Sequence, residues 1–73
     1  MTFYDKFSQI CKSAKVSPTK AAKDIGLSNS LVTKWKKTGA MPRMKNLLAI
    51  ADYFDFDRGS FLRMLMIEIY GLE

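Results

Sequence analysis

Apolar residues return along this chain at helical spacing and not in the alternation of a strand. Phe3, Phe7, Ile10, Cys11 and Ala14 fall on one helical stripe. Thr2 and Asp5 stand at the positions of a capping box, so a first helix is predicted over about 3–14, packing inward. Ser17 offers an N-cap, Pro18 a first helical residue whose missing N–H costs nothing, and Gly26 a left-handed stop. A second helix therefore covers about 18–25, only two turns. Ser28 and Gly39 bracket a third over about 29–38 in the same way. Pro42 opens a fourth segment in which Met44, Leu47, Leu48, Ala51 and Phe54 recur to about residue 54, and Asp57 caps a fifth over about 58–70. The pattern predicts an all-α, compact five-helix domain occupying 1–73 as one unit.

The fifth segment stands apart, because Phe61, Leu62, Met64, Leu65, Met66, Ile67, Ile69 and Tyr70 supply more apolar surface than one face needs. Something beyond the core of a single molecule is expected to cover it. Charge is also unevenly placed. The chain carries +5 overall, yet residues 15–45 hold Lys15, Lys20, Lys23, Lys34, Lys36, Lys37, Arg43 and Lys45 against Asp24 alone, while residues 46–73 are acidic on balance. A positive field concentrated in this way suits a polyanion, whose condensed counterions are released on binding.

At 73 residues the chain has room for one domain, and a domain this small buries only about 60% of the surface its unfolded chain exposes. A hydrophobic content of 48% with 26% charged residues is that of a globular protein. One cysteine and no histidine leave no disulfide, no metal-ligand set and no Cys/His nucleophile. Cys11 reads as a small buried hydrophobe. No pair of carboxylates, nucleophile-base pair or phosphate loop occurs at useful spacing, so neither an enzyme nor a cofactor is expected. The start of the chain lacks the basic-then-apolar order of a signal peptide, and no apolar run approaches membrane-spanning length. A cytoplasmic protein is the expectation, with no membrane and no small-molecule partner.

The stretch 17–39 carries the functional signal. Ala22 sits where two steeply crossing helices approach closely and only a methyl fits. Gly26 supplies positive φ at the turn, and Leu27 plugs that turn into the core. Around the third helix, Leu31, Trp35 and Val32 fall at roughly 200°, 240° and 300° from Asn29, an apolar arc. Asn29, Ser30, Thr33, Lys34 and Lys37 fall between about 0° and 140°, a polar arc facing out.

In these residues the chain resembles the phage-repressor and Cro type of helix-turn-helix domain: Ala22 with Gly26 four residues on, Ser28 capping the next helix, Val32 and Trp35 as its inward positions before Gly39. The fourth-helix ending Ile50-Ala51-Asp52-Tyr53-Phe54 is similar too. The resemblance implies five helices with the motif formed by helices 2 and 3, and a bacterial transcription regulator, most simply a phage or prophage-type repressor, that reads an operator in double-stranded DNA. It implies that Asn29, Ser30, Thr33 and Lys34 face base edges in the major groove. Their chemistry suits that: Asn pairs with adenine, Lys donates to guanine, and Ser or Thr bonds either way. It places backbone contacts at Thr19, Lys20, Ser28, Lys36, Lys37, Thr38, Arg43, Lys45 and Asn46. Family members often open the first motif helix with a phosphate-binding glutamine; here Pro18 stands there, and helix-terminal amides with Thr19 and Lys20 are the substitutes.

One short recognition helix reads few base pairs, so a homodimer on a near-palindromic site is expected. Its interface is assigned to the last helix, at Phe61, Met64, Leu65 and Ile69. The rival reading is a protein-interaction module, antirepressor or antitoxin-like, using that same apolar helix. Such an adaptor has no need of the basic loop and polar arc that this chain keeps.

Overall fold

The computed structural model describes residues 2–71; Met1, Leu72 and Glu73 of the domain expected over 1–73 lie outside the described residues. Within them the chain forms five helices and no strand: α1 Phe3–Ser13, α2 Pro18–Ile25, α3 Asn29–Thr38, α4 Met44–Tyr53 and α5 Arg58–Tyr70. The boundaries follow the capping chemistry. Thr2 Oγ1 accepts from the Asp5 amide at 3.2 Å while Asp5 Oδ2 accepts from the Thr2 amide, the reciprocal box expected. Ser17, Ser28 and Asp57 each accept from the amide three residues on, at 3.1, 3.3 and 3.0 Å. α4 alone begins without a side-chain cap, at Arg43. Gly26 closes α2 at φ 98°, and a Cβ there would meet nothing within 4 Å, so backbone conformation and not space demands glycine.

α1 packs on α2 and α3, α2 also on α3 and α4, and α4 on α5. The core gathers Phe3, Phe7, Ile10 and Cys11 of α1, Trp35 of α3, Leu47, Ile50 and Ala51 of α4, and Phe61 and Leu65 of α5. Trp35 is its hinge-pin: Phe3 and Phe7 both meet it edge to face, at 5.4 and 5.8 Å. Each such aromatic pair adds about 0.5–1.5 kcal/mol beyond its area. α2 contributes only the methyls of Ala21 and Ala22, both fully buried, with Ile25 and Leu27 half-buried against the cluster. Two ion pairs brace the far end. Lys6 of α1 meets Glu68 of α5, and Arg58 forks onto Asp52 at 3.1 and 2.7 Å.

Several faces differ from the pattern-based reading. Met44, expected inward, is 55% exposed, whereas Ile50, outside the expected stripe, has no exposure; the buried stripe of α4 is rotated onto Leu47, Ile50 and Ala51. Ala14 ends α1 as its C-cap and is exposed. Leu31 lies at the solvent edge of its arc, 36% exposed. Most consequential, Phe61 and Leu65, assigned to a dimer interface, are 1% and 2% exposed within one molecule. Met64 and Ile69 are partly buried against the same core. The apolar side chains that α5 leaves outside are Met66, Ile67 and Tyr70.

Candidate nucleic-acid interface

α3 is held from within by Trp35 and, less deeply, by Val32. That anchorage turns Asn29, Ser30, Thr33, Lys34 and Lys37 to solvent. The four residues expected to meet base edges are brought together: Asn29, Ser30, Thr33 and Lys34 line one shallow groove with Lys37 and Thr38. Two further depressions adjoin it. A notch over the turn is lined by Thr19, Lys23, Ser28 and Asn29, with Gly26 and Leu27 beneath. A cleft beside the 40–43 loop takes Lys34, Arg43 and Asn46 against an apolar wall that includes Leu31 and Met41. Asn29 belongs to both the groove and the notch, and Lys34 to both the groove and the cleft, so the three form one continuous strip from α2 across α3 to the start of α4.

Among the described residues the strip carries Lys23, Lys34, Lys37 and Arg43 and no carboxylate. The nearest acid in sequence, Asp24, is engaged elsewhere. Tyr53 Oη donates to its Oδ2 at 2.7 Å, and Lys20 Nζ donates to the same oxygen at 3.3 Å. The Tyr53 hydroxyl first, and Lys20 after it, hold the Asp24 carboxyl below the usual range.

Not every expected backbone contact joins the strip. Lys36 reaches back over the Tyr4 ring, 6.0 Å from its centre. Lys45 is exposed on α4 but lines none of the three depressions. Lys20 is paired with Asp24. Thr38 lines the groove, yet its single O–H donates to the Lys34 carbonyl at 2.7 Å while its oxygen accepts from the Ala40 amide, which leaves no proton for a phosphate oxygen. Ser28 is the opposite case: its oxygen accepts from Leu31, and among the described residues its proton has no acceptor.

Two strip residues went unread in the sequence. Lys23 stands one helical turn beyond Thr19, on the same side of α2, and that i,i+4 relation to an expected contact is the signal that points to it. Leu31, on the apolar arc, is 36% exposed and lines the cleft together with the 40–43 loop. Cys11 is fully buried, and burial pushes its thiol up to about 11, the behaviour of an inert core group.

A family model of the Cro/C1-type helix-turn-helix DNA-binding domain matches residues 6–66. Comparison with curated proteins and with solved structures finds no match. Among the described residues no helix is long and apolar enough to cross a membrane.

Proposed function

The chain belongs to the Cro/C1-type helix-turn-helix DNA-binding domain family, and from that premise we propose that it is a sequence-specific transcriptional repressor of the phage or prophage kind. In this reading α2 and α3 form the motif, α3 enters the major groove of double-stranded DNA, and the protein works in a bacterial cytoplasm. Asn29, Ser30, Thr33 and Lys34 meet base edges. Thr19, Lys23, Ser28, Lys37, Arg43 and Asn46 meet the flanking sugar-phosphate. The observation that carries the reading is the continuous strip, free of carboxylates, that joins these residues on one surface. Phosphate contacts along its two ends set the register, and the groove between them is left to discriminate sequence.

The working unit is a homodimer formed through the outer row of α5. Met66, Ile67 and Tyr70 are 49%, 38% and 58% exposed, and such clustered apolar side chains favour a protein partner over water. A two-fold arrangement with equivalent helices about 34–36 Å apart would match one turn of B-DNA.

Selection of bound duplexes from a random pool, followed by footprinting of the enriched sequence, tests the proposal. The expected product is a near-palindrome with half-sites one turn apart. Enrichment of no sequence refutes sequence-specific reading, and an enriched site protected by one copy refutes the dimer.

A further inference from the structure

α2 is anchored to the rest of the molecule mainly by small side chains, with Ile25 half-buried against the core. Its fully buried side chains are the methyls of Ala21 and Ala22, and these, with the one longer apolar side chain Ile25, resist rolling of a two-turn helix about its axis only weakly. At about 100° per residue, Ala21, Ile25 and Ala22 face one direction, Thr19 and Lys23 a second, and Lys20 and Asp24 a third. Any roll of α2 displaces Thr19 and Lys23 relative to α3 and so distorts the notch where Ser28 and Asn29 begin the recognition helix. The third face is tied. Tyr53, at the end of α4 and 29 residues away in sequence, donates its hydroxyl to Asp24 at 2.7 Å. Lys20 holds the same carboxylate oxygen. α4 itself is fixed in the core by Leu47, Ile50 and Ala51.

We propose that Tyr53 and Asp24 are a positioning pair for DNA binding: the α4 hydroxyl fixes the roll of α2 and thereby the register of Thr19 and Lys23 on the DNA backbone. Neither residue touches DNA. The inference rests on the DNA-binding reading above and adds to it a residue pair outside the strip. It also accounts for the position of Asp24, the one acid of the 15–45 segment, whose charge would oppose a phosphate if it were turned to the strip.

The test uses the full chain, the duplex enriched by selection and a random-sequence duplex of equal length, with the ratio of the two affinities as readout. Tyr53→Phe removes only the hydroxyl, and Asp24→Ala removes the acceptor, which Asn would keep as an amide oxygen; both sites are solvent-exposed, so both variants are expected to fold. A reduced folded fraction would lower both affinities alike and leave the ratio unchanged. The expected result is that each variant lowers the ratio about three- to tenfold, and the double variant lowers it no further, as coupled positions do. An unchanged ratio in Tyr53→Phe overturns the inference. So does an Asp24→Ala variant that gains affinity equally for both duplexes, the behaviour of a mere repelling charge. Wild-type protein that binds both duplexes equally overturns the sequence-specific reading itself, a result distinct from either.

Discussion

α3 buries Trp35 alone and turns Asn29, Ser30, Thr33, Lys34 and Lys37 outward, whereas α5 buries Phe61 and Leu65 and still exposes Met66, Ile67 and Tyr70. Both helices start from a side-chain cap and end on a left-handed glycine, Gly39 and Gly71, so backbone chemistry does not separate them. What separates them is the surface left over once the core is satisfied. Donors and cations bind through direction and charge, and a partner must answer them group by group. Methionine, isoleucine and an aromatic ring bind through area and shape. One small domain thus offers two surfaces that suit two different kinds of partner, a polyanion on one and an apolar protein face on the other.

The sharpest division between the two surfaces is their response to salt. If each subunit neutralises about three or four phosphates, the logarithm of DNA affinity falls against the logarithm of salt with a slope of roughly −5 to −7. That amounts to about a thousandfold or more between 50 and 200 mM salt. Self-association through α5, being apolar, should hold or strengthen over the same range. A titration of duplex binding beside sedimentation at each salt concentration checks both. A flat DNA slope would break the comparison at its polar end.

The next largest effects separate inward from outward positions. Trp35→Ala and Phe61→Ala each remove a fully packed ring at a cost of about 3–5 kcal/mol, enough to unfold much of a domain of this size. Met66→Ser and Tyr70→Ser, on the outer row of α5, are expected to leave the thermal stability of the monomer within about 0.5 kcal/mol while weakening dimer formation. Melting curves at low concentration and sedimentation at high concentration read the two quantities separately. A large loss of monomer stability in Met66→Ser would return that row to the core.

The two helices also differed in how far the sequence could be read. Caps and stops are local, so Ser17, Ser28, Asp57, Gly26 and Gly39 set the helix ends to within a residue or so. In α3 the polar and apolar arcs are distinct, and its outward face followed from periodicity alone. α5 is apolar nearly all round, and periodicity has nothing to choose between. Only the positions of α1 and α4 decide that Phe61 and Leu65 go inward, and that decision lies in tertiary packing. Lys36 and Thr38 show the same limit at smaller scale. Both are polar residues near expected contacts, but one lies over Tyr4 and the other spends its proton on its own helix end. The tie between Asp24 and Tyr53 spans 29 residues and leaves no local trace.

Within the strip, single substitutions sharpen the picture further. Lys34→Ala is expected to cost about 1–3 kcal/mol on the selected duplex and to relax discrimination at one base pair. Arg43→Ala should weaken all duplexes about equally and make the salt slope shallower by about one. Lys36→Ala, at a residue drawn away over Tyr4, should change either affinity by less than about 0.5 kcal/mol. Equal, sequence-independent losses for Lys34→Ala and Arg43→Ala would show that Lys34 holds phosphate and does not read a base.

The smallest expected effect compares one tied carboxylate from each region. Asp24 is held by Tyr53 and then Lys20 in the basic half, and Asp52 by the Arg58 fork at the start of α5; both titrate below the ordinary aspartate range. In the unfolded chain the same groups return to about 3.9. A folded pKa below the unfolded one means that the unfolded state binds protons first as the solution is acidified. The stabilisation is therefore complete above about pH 5 and is lost as pH falls through about 4 toward the folded values. Both groups are exposed, so solvent screening keeps the loss small. Thermal unfolding from pH 6 down to 2.5 should show a gentle decline confined to the acid end. Carboxyl-carbon NMR titration then assigns it: Tyr53→Phe should raise the Asp24 midpoint and leave Asp52 alone, and Arg58→Gln should do the reverse. Midpoints that move together would mean that the two regions are electrostatically one, and the division drawn between them would have to be abandoned.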